Sequence, residues 1–144
     1  IASKVSGGSL STTPAPDNIF EARFGVPGAE WMFQAVYDEA VGRGRLTLSR
    51  LAQVFCANPA RIFSLYPRKG TLQPGSAADL VVFDPNTSHT ISAQRQHGKT
   101  DFTLYEGREV MGAPVLVMQR GEVIVENGQT VAKPGRAQYL KASL

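Results

Sequence analysis

The chain has 144 residues, of which 42% are hydrophobic and 19% are charged, and its formal net charge is +3. This composition is typical of a globular domain with a hydrophobic core and excludes disordered and collagen-like classes. The basic residues are scattered and form no basic run interleaved with aromatic side chains, so no nucleic-acid partner is predicted.

The hydrophobic residues occur in short runs, and the longest ones, such as 80–83 and 115–118, have about four residues. A membrane-spanning helix needs about 20 consecutive apolar residues, so no membrane segment is predicted, and no secretory signal pattern is present. The only cysteine, Cys56, stands in an apolar periodic stretch. It is predicted to be a small buried side chain and not a nucleophile, and a cytoplasmic location is predicted.

The first half is predicted to be helical, after an irregular start over residues 1–28. Apolar residues recur at helical spacing between Ala29 and Val41, and Gly42 and Gly44 end the pattern. Glu30 lies in the first turn, where the helix dipole favours a negative charge. The predicted buried stripe is Met32, Phe33, Val36, Tyr37, Ala40 and Val41.

Two further helices are predicted before Pro67. The first has Thr47 as its N-cap, and the second has Asn58 as its cap and Pro59 at its first position. The residues expected to be buried on these helices are Leu48, Leu51, Val54, Phe55, Ile62, Phe63 and Leu65. The helices have few partners within 144 residues, and for a fragment we expect some apolar helix faces to be exposed.

The second half is predicted to be an antiparallel β unit. Residues 80–85 read as a strand that is buried on both faces and closed by Pro85. A short strand near 89–92 and a long surface excursion follow. The remaining pattern predicts strands at 115–119, 122–126 and 129–132, joined by turns at Arg120-Gly121 and Asn127-Gly128, and a few helical residues in the tail.

Chemically active residue types show no catalytic spacing. His89 and His97 are eight residues apart, which suits neither a helical nor a strand metal pair, so both are predicted to lie on the surface. Asp79 and Asp84 bracket a strand, and Asp79 is expected to accept backbone hydrogen bonds at the strand entry. Without a phosphate-binding loop or a nucleophile elbow, these patterns predict an α+β piece with no evident active site.

Longer segments carry a specific resemblance. The stretches "ANPARIFSLYPRKG" and "GSAADLVVFDP" within 46–85, followed by "YEGREVMGAPVLVMQRGEVIVENGQ" and "KPGRAQYL", resemble the cyclic amidohydrolases and most closely the D-hydantoinase and dihydropyrimidinase group. The resemblance covers nearly the whole chain.

The resemblance implies an α/β parent protein with a TIM-like barrel and a small β-sandwich. This chain would be an α+β fragment. Residues 1–66 would end the metal-dependent hydrolase barrel, residues 67–132 would form the C-terminal part of the sandwich, and residues 133–144 would be a tail that reaches a neighbouring subunit of a homo-oligomer, for which a homotetramer is expected. The opening "IASK" is accordingly expected to be a cut within a longer chain.

The resemblance also implies hydrolysis of a cyclic amide ring, such as a hydantoin or dihydropyrimidine, at a centre of two metal ions, usually zinc. The metal ligands lie earlier in the family's chain, so this chain has no expected metal ligand and is expected to be inactive alone. Lys4 stands where the family has its catalytic aspartate. The segment "FEARFGVPGAE" (20–30) resembles the substrate loop, in which the backbone of Phe24 and Gly25 would bind the ring.

Two alternatives remain open at this point. Lys4 favours a non-catalytic homologue that serves as an assembly scaffold, as the collapsin-response mediator proteins do. The "FGVPG" loop favours an enzyme of the dihydroorotase or allantoinase branch. The ring substrate, the enantiomer preference and the oligomer size are not predicted.

Overall fold

A computed structural model of the chain describes residues 27–142. Lys4, Phe24 and Gly25 lie outside the described residues. The elements, in chain order, are helix α1 (Ala29–Val36) with a π-helical continuation (Tyr37–Gly42), helix α2 (Leu48–Ala52), a π-helical turn (Gln53–Ala57), helix α3 (Asn58–Ile62), strand β1 (Leu80–Thr90), a 3₁₀ turn (Ala93–Arg95), and strands β2 (Glu109–Gln119), β3 (Glu122–Glu126) and β4 (Gln129–Thr130).

The first predicted helix is confirmed in extent, and its last 6 residues are π-helical. Tyr37 of the predicted stripe is buried as expected, but Met32 is 46% exposed, and Trp31, Gln34 and Ala35 are buried in addition. Residues at i, i+3 and i+4 share one helix face, and here that face is the one that packs on β2. The helix faces that contain Trp31 and Met32 are adjacent and both carry apolar residues, so the periodicity alone did not show that Met32 is exposed.

The second and third predicted helices form one continuous helical segment from residue 48 to residue 62. The Thr47 cap is confirmed, since the hydroxyl of Thr47 accepts a hydrogen bond from the backbone N–H of Arg50 at 3.2 Å. The predicted cap at Asn58 is wrong, because Asn58 has helical backbone angles (φ −67°, ψ −49°). Pro59 has no backbone N–H to donate. It lies inside the helical segment, shortly after the π-helical turn Gln53–Ala57.

Most of the predicted buried face on this segment is exposed. Leu51 is 1% exposed as expected, but Ile62 is 75% and Phe63 is 67% exposed. Leu48 and Val54 are exposed as well, and the prediction that Cys56 is buried is also wrong. Among residues 27–142, this helical segment meets the π-helical end of the first helix only through α2, so one flank of the segment stays uncovered in this part of the chain.

The β unit forms a four-stranded antiparallel sheet with the order β1-β2-β3-β4. Both predicted turns are confirmed. Arg120 and Gly121 have φ of 53° and 80°, and Asn127 and Gly128 have φ of 48° and 76°. Positive φ at both central residues matches the twist of a two-residue hairpin. Strand β4 is two residues shorter than predicted.

Strand β1 differs most from its prediction. It continues past Pro85 to Thr90, and its pairing with β2 is irregular between Asp84 and Ser88. Pro85 is tolerated there because a proline fits an edge strand or a bulge. The expectation of burial on both faces is wrong, since Val81 is 53% exposed. Helix α1 covers this strand mainly at Phe83, whose ring lies 5.3 Å from that of Phe33.

The core lies where the first turns of α1 meet the long connection between β1 and β2. Trp31, Ile91 and Val110 form a buried cluster, and Tyr105 packs against it. The predicted surface excursion is therefore anchored at its base, where the Ile91 N–H donates to the Arg108 carbonyl at 2.9 Å. The helical residues expected in the tail are absent from 131–142.

Candidate functional site

A groove of about 830 Å³ lies between the start of α1 and the sheet. Helix α1 supplies one polar wall, and the β1–β2 connection supplies another. The opposite wall comes from the sheet, where Val115, Val117 and Val125 of β2 and β3 are apolar and residues 127–130 of the β3–β4 hairpin add polar groups. The residues that line the groove include Glu30, Trp31, Gln34, His89, Arg95, His97, Val115, Val117 and Val125.

His97 is held at this groove by a carboxylate. Its backbone N–H donates to Glu30 Oε2 at 2.9 Å, and its ring Nδ1 lies 2.8 Å from Glu30 Oε1. Because an ionised carboxylate only accepts hydrogen bonds, Nδ1 carries the hydrogen in this contact. The carboxylate therefore fixes the orientation of the imidazole ring.

Three buried polar atoms around the groove have no hydrogen-bond partner among the described residues. They are Trp31 Nε1, Gln34 Oε1 and His89 Nδ1. Trp31 and Gln34 are each only 6% exposed. Buried polar atoms are nearly always paired in folded proteins, because an unpaired one costs roughly 1–3 kcal/mol. This end of the groove is therefore suited to a polar occupant.

His89 is a correction to the predicted surface histidine. It is half-buried, and its ring centroid lies 6.1 Å from that of Trp31. Burial, with a smaller contribution from the positive charge of Arg95, lowers the pKa of His89 below its ordinary value of 6.5. Burial disfavours the charged imidazolium, so His89 is a neutral side chain near pH 7.

This shift predicts a pH dependence of stability. The unfolded chain protonates His89 near pH 6.5, whereas the folded chain does so only at lower pH, so the free energy of unfolding falls as the pH drops below about 6.5. We expect His89→Gln to flatten the decline between about pH 7 and pH 5 in urea unfolding followed by circular dichroism. Parallel curves for wild type and His89→Gln would contradict the expectation.

The two histidines share the groove although their spacing indicated no pair. They give the groove a neutral imidazole at His89 and an imidazole at His97 that Glu30 orients. Across residues 27–142 no group of three His, Cys, Asp or Glu side chains could hold a metal ion. No helix in this part of the chain is long and apolar enough to span a membrane.

The two aspartates have separate structural partners. Asp79 accepts a hydrogen bond from the Arg120 N–H at 2.8 Å, which confirms its predicted backbone contact. Asp84 accepts from the Asn86 N–H at 2.9 Å and from the Thr87 hydroxyl at 2.6 Å. The Asp84 contacts stabilise the irregular part of β1. Because each carboxylate has its own partners, the two aspartates do not form a paired acid–base site.

Comparison with known proteins gives the family. The model of the amidohydrolase family matches residues 15–123, which is most of the chain. The chain belongs to the amidohydrolase family. Among curated relatives of this amidohydrolase, the D-hydantoinase of Geobacillus stearothermophilus is 41% identical over 117 residues, covering 81% of this chain and 25% of the relative. The L-hydantoinase of Paenarthrobacter aurescens is 36% identical over 127 residues, covering 88% and 28%.

Solved structures agree with the sequence comparison. A D-hydantoinase (dihydropyrimidinase) from a Thermus species superposes with a TM-score of 0.78 at 40% identity, over 81% of this chain and 25% of that chain. Another D-hydantoinase structure gives a TM-score of 0.79 at 36% identity, over 82% and 26%. This amidohydrolase chain thus spans about a quarter of the length of the relatives it matches.

The groove residues on α1 were not predicted from the sequence. Trp31 and Gln34 stand three residues apart, so they share a helix face with each other, and both are buried. The available signal was a glutamine next to an apolar stripe, which is unusual at a buried helix position. Glu30 was read only as a helix-dipole residue, because its partner His97 lies 67 positions away.

Proposed function

We propose that these residues form the C-terminal portion of a cyclic-amide hydrolase of the hydantoinase and dihydropyrimidinase type. The supporting observation is the agreement of sequence and structure with the D-hydantoinases, at 40% identity and a TM-score of 0.78 for the Thermus enzyme. The reaction proposed for the whole protein is the hydrolytic opening of a hydantoin or dihydropyrimidine ring.

The proposed division of the chain follows the order of its elements. Residues 1–66 would complete a barrel domain, residues 67–132 would contribute to a β-sandwich, and residues 133–144 would be a tail at a subunit contact of a homotetramer. The helical segments up to Ile62 and the sheet from Leu80 support two separate roles. The exposed side chains of Ile62 and Phe63 offer apolar surface for further structure to cover. A cytoplasmic location belongs to this proposal.

The proposed metal centre, two ions and usually zinc, would supply a water activated for attack on the ring amide. The described residues do not fit such a centre, because no suitable group of ligands occurs in this part of the chain. The resemblance places the metal ligands in other parts of the whole protein. For the described residues we propose a structural role in the whole protein.

Lys4 is the critical point of the proposal, because it stands where the resemblance places the catalytic aspartate. A protonated lysine cannot accept a proton and repels a divalent cation at short range. A non-catalytic scaffold protein is therefore the second candidate, and Lys4 is the observation that favours it. An enzyme of the dihydroorotase or allantoinase branch is the other alternative, supported by "FGVPG" at 24–28.

The decisive measurement is turnover and metal content of the whole protein. We expect hydrolysis of hydantoin or dihydrouracil, bound metal, and loss of turnover on chelation. The 144-residue chain is the matched control and should be inactive. A protein without metal or turnover would contradict the proposal and favour the scaffold. Turnover of only dihydroorotate or allantoin would move the protein to the other enzyme branch.

A further inference from the structure

The groove between α1 and the sheet has the features of a small-molecule site. Its volume of about 830 Å³ lies within the range of roughly 300–1,000 Å³ that is typical of ligand pockets. Such pockets combine apolar walls with a few polar groups that fix the orientation of the ligand, and Val115, Val117 and Val125 supply the apolar part here. All residues that carry this inference lie within 27–142, so it holds independently of the proposed function.

Two buried side chains of the helix wall have polar atoms without partners. Trp31 and Gln34 line the groove and are each 6% exposed, and Trp31 Nε1 and Gln34 Oε1 have no hydrogen-bond partner among the described residues. The two residues stand three positions apart and therefore share one helix face. An indole N–H only donates and an amide oxygen only accepts. Their complement is a carbonyl oxygen beside an N–H, which is an amide group.

His89 adds a third polar atom at the same end of the groove. Its Nδ1 is buried without a partner in the described part of the chain, and its ring centroid lies 6.1 Å from that of Trp31. Because the imidazole is neutral near pH 7, its nitrogen donates or accepts according to the tautomer. His89 can therefore pair with either group of an amide.

Arg95 gives the groove a positive charge that no carboxylate of residues 27–142 neutralises. Its Nη1 donates to the Thr90 carbonyl at 3.5 Å, which is a weak contact. Glu30 also lines the groove, but both of its carboxylate oxygens are engaged by His97. A guanidinium pairs with a carboxylate through two parallel hydrogen bonds. The groove is therefore suited to a ligand with a negative charge.

We propose that the groove binds a small amide that carries one carboxylate group. The amide carbonyl accepts from Trp31 Nε1, the amide N–H donates to Gln34 Oε1, and the carboxylate pairs with Arg95. The hydrocarbon part of the ligand lies on the valines of the sheet. Side-chain rotamers commonly change on binding, and such a change brings the two buried helix groups onto the ligand.

The test is calorimetric titration of the whole protein with three small probes. N-acetylglycine has both the amide and the carboxylate, pentanoate has the same chain length without the amide, and N-acetylglycinamide lacks the charge. We expect N-acetylglycine to bind at least about tenfold more tightly than either of the others, because each of them leaves polar groups of the site unpaired. Absence of N-acetylglycine binding, or equal affinity for the three probes, would overturn the inference.

Variants show whether N-acetylglycine binds in this groove. Arg95→Gln changes an exposed side chain, so the fold should be kept while the affinity falls about tenfold. Trp31→Phe keeps an aromatic ring and removes the indole donor, and about fivefold weaker binding is expected. Wild-type affinity in both variants would place the binding elsewhere in the protein and would refute the groove site.

Arg43→Gln is the matched control. Arg43 is also an exposed guanidinium, at 59%, and it pairs with Glu39 at 3.3 Å outside the groove. Its removal should leave the affinity for N-acetylglycine unchanged, and a loss equal to that of Arg95→Gln would reduce the effect to general charge and overturn the inference.

Calorimetry also separates this inference from the proposed function, because binding is measured without turnover. A whole protein that binds N-acetylglycine in the groove but hydrolyses no ring would refute the proposed function alone. A whole protein that hydrolyses a ring but has this groove covered by another part of its chain would bind no probe there, and the inference would fail while the proposed function stands.

Discussion

Replacing Gly70 by alanine is expected to lower the free energy of unfolding by about 3 kcal/mol. Gly70 has φ of +80°, a conformation that L residues rarely adopt. A Cβ atom there would lie 2.5 Å from the Cβ of Ala60 and 2.7 Å from the carbonyl oxygen of Cys56. Ala60 is buried, and both contacts belong to one helical segment, so the overlap requires the loop or the helix to move.

Gly75→Ala is the matched control for this prediction. Gly75 has a similar φ of +90°, but a Cβ atom there would meet nothing within 4 Å. The control therefore carries only the backbone penalty of roughly 1–2 kcal/mol. Thermal and urea unfolding of both variants separate the two contributions. Equal losses for Gly70→Ala and Gly75→Ala would show that the close approach to Ala60 is not a constraint.

The hairpins were predictable because their turns are determined by local chemistry. Asn127-Gly128 tolerates positive φ at both positions, and this requirement depends on no distant residue. The Thr47 cap was predictable for the same reason, because its acceptor and its donor lie three residues apart. The observed turns and the first cap therefore match the sequence analysis.

The burial of side chains was less predictable, because it depends on which part of the protein covers each apolar helix face. Ile62 and Phe63 have the helical spacing of core residues, yet both are exposed in the described part of the chain. Cys56 was assigned to the core on the same pattern and is exposed. Periodicity identifies an apolar face but not its partner, and a chain that spans a quarter of its relatives' length need not contain that partner.

The candidate site was unpredictable for a related reason. Glu30 and His97 are 67 residues apart, and their contact arises only when the connection between β1 and β2, residues 91–108, folds back onto α1. His89 and His97 share a groove because β1 and this connection meet there, which no residue spacing reveals. The proposed ring-binding residues Phe24 and Gly25 lie outside the described residues and remain predictions.

The "LYPRKG" and "GSAADL" segments meet through one carboxylate. Asp79 pairs with the ammonium group of Lys69 and also accepts the Arg120 N–H at 2.8 Å. Two backbone bonds lie beside it, from Ala77 to the Arg68 carbonyl and from Gly121 to the Ala78 carbonyl. Asp79 therefore joins the loop before β1 to the turn after β2, and each of the two holds the other in place.

Asp79→Ala is accordingly expected to lower the free energy of unfolding by about 2 kcal/mol, because hydrogen bonds to charged groups contribute roughly 1.5–3 kcal/mol. The variant leaves Lys69 without its carboxylate, although that side chain is only 20% exposed. Asp79→Asn keeps an acceptor for the Arg120 N–H and loses the ion pair, so about half the loss is expected. Urea unfolding at pH 7 measures both variants.

The pH dependence of unfolding tests whether the negative charge of Asp79 causes the difference in stability between wild type and Asp79→Asn. Burial by itself would raise the pKa of Asp79, but hydrogen bonds from Lys69 and from the Arg120 N–H, with the charges of Lys69 and Arg120, outweigh burial and hold it below 3.8. The unfolded chain therefore takes up this proton first, and the stabilisation is full above pH 3.8 and declines as pH falls through the folded-state pKa. The difference between wild type and Asp79→Asn should shrink over that range, and a constant difference would refute the ionic contribution.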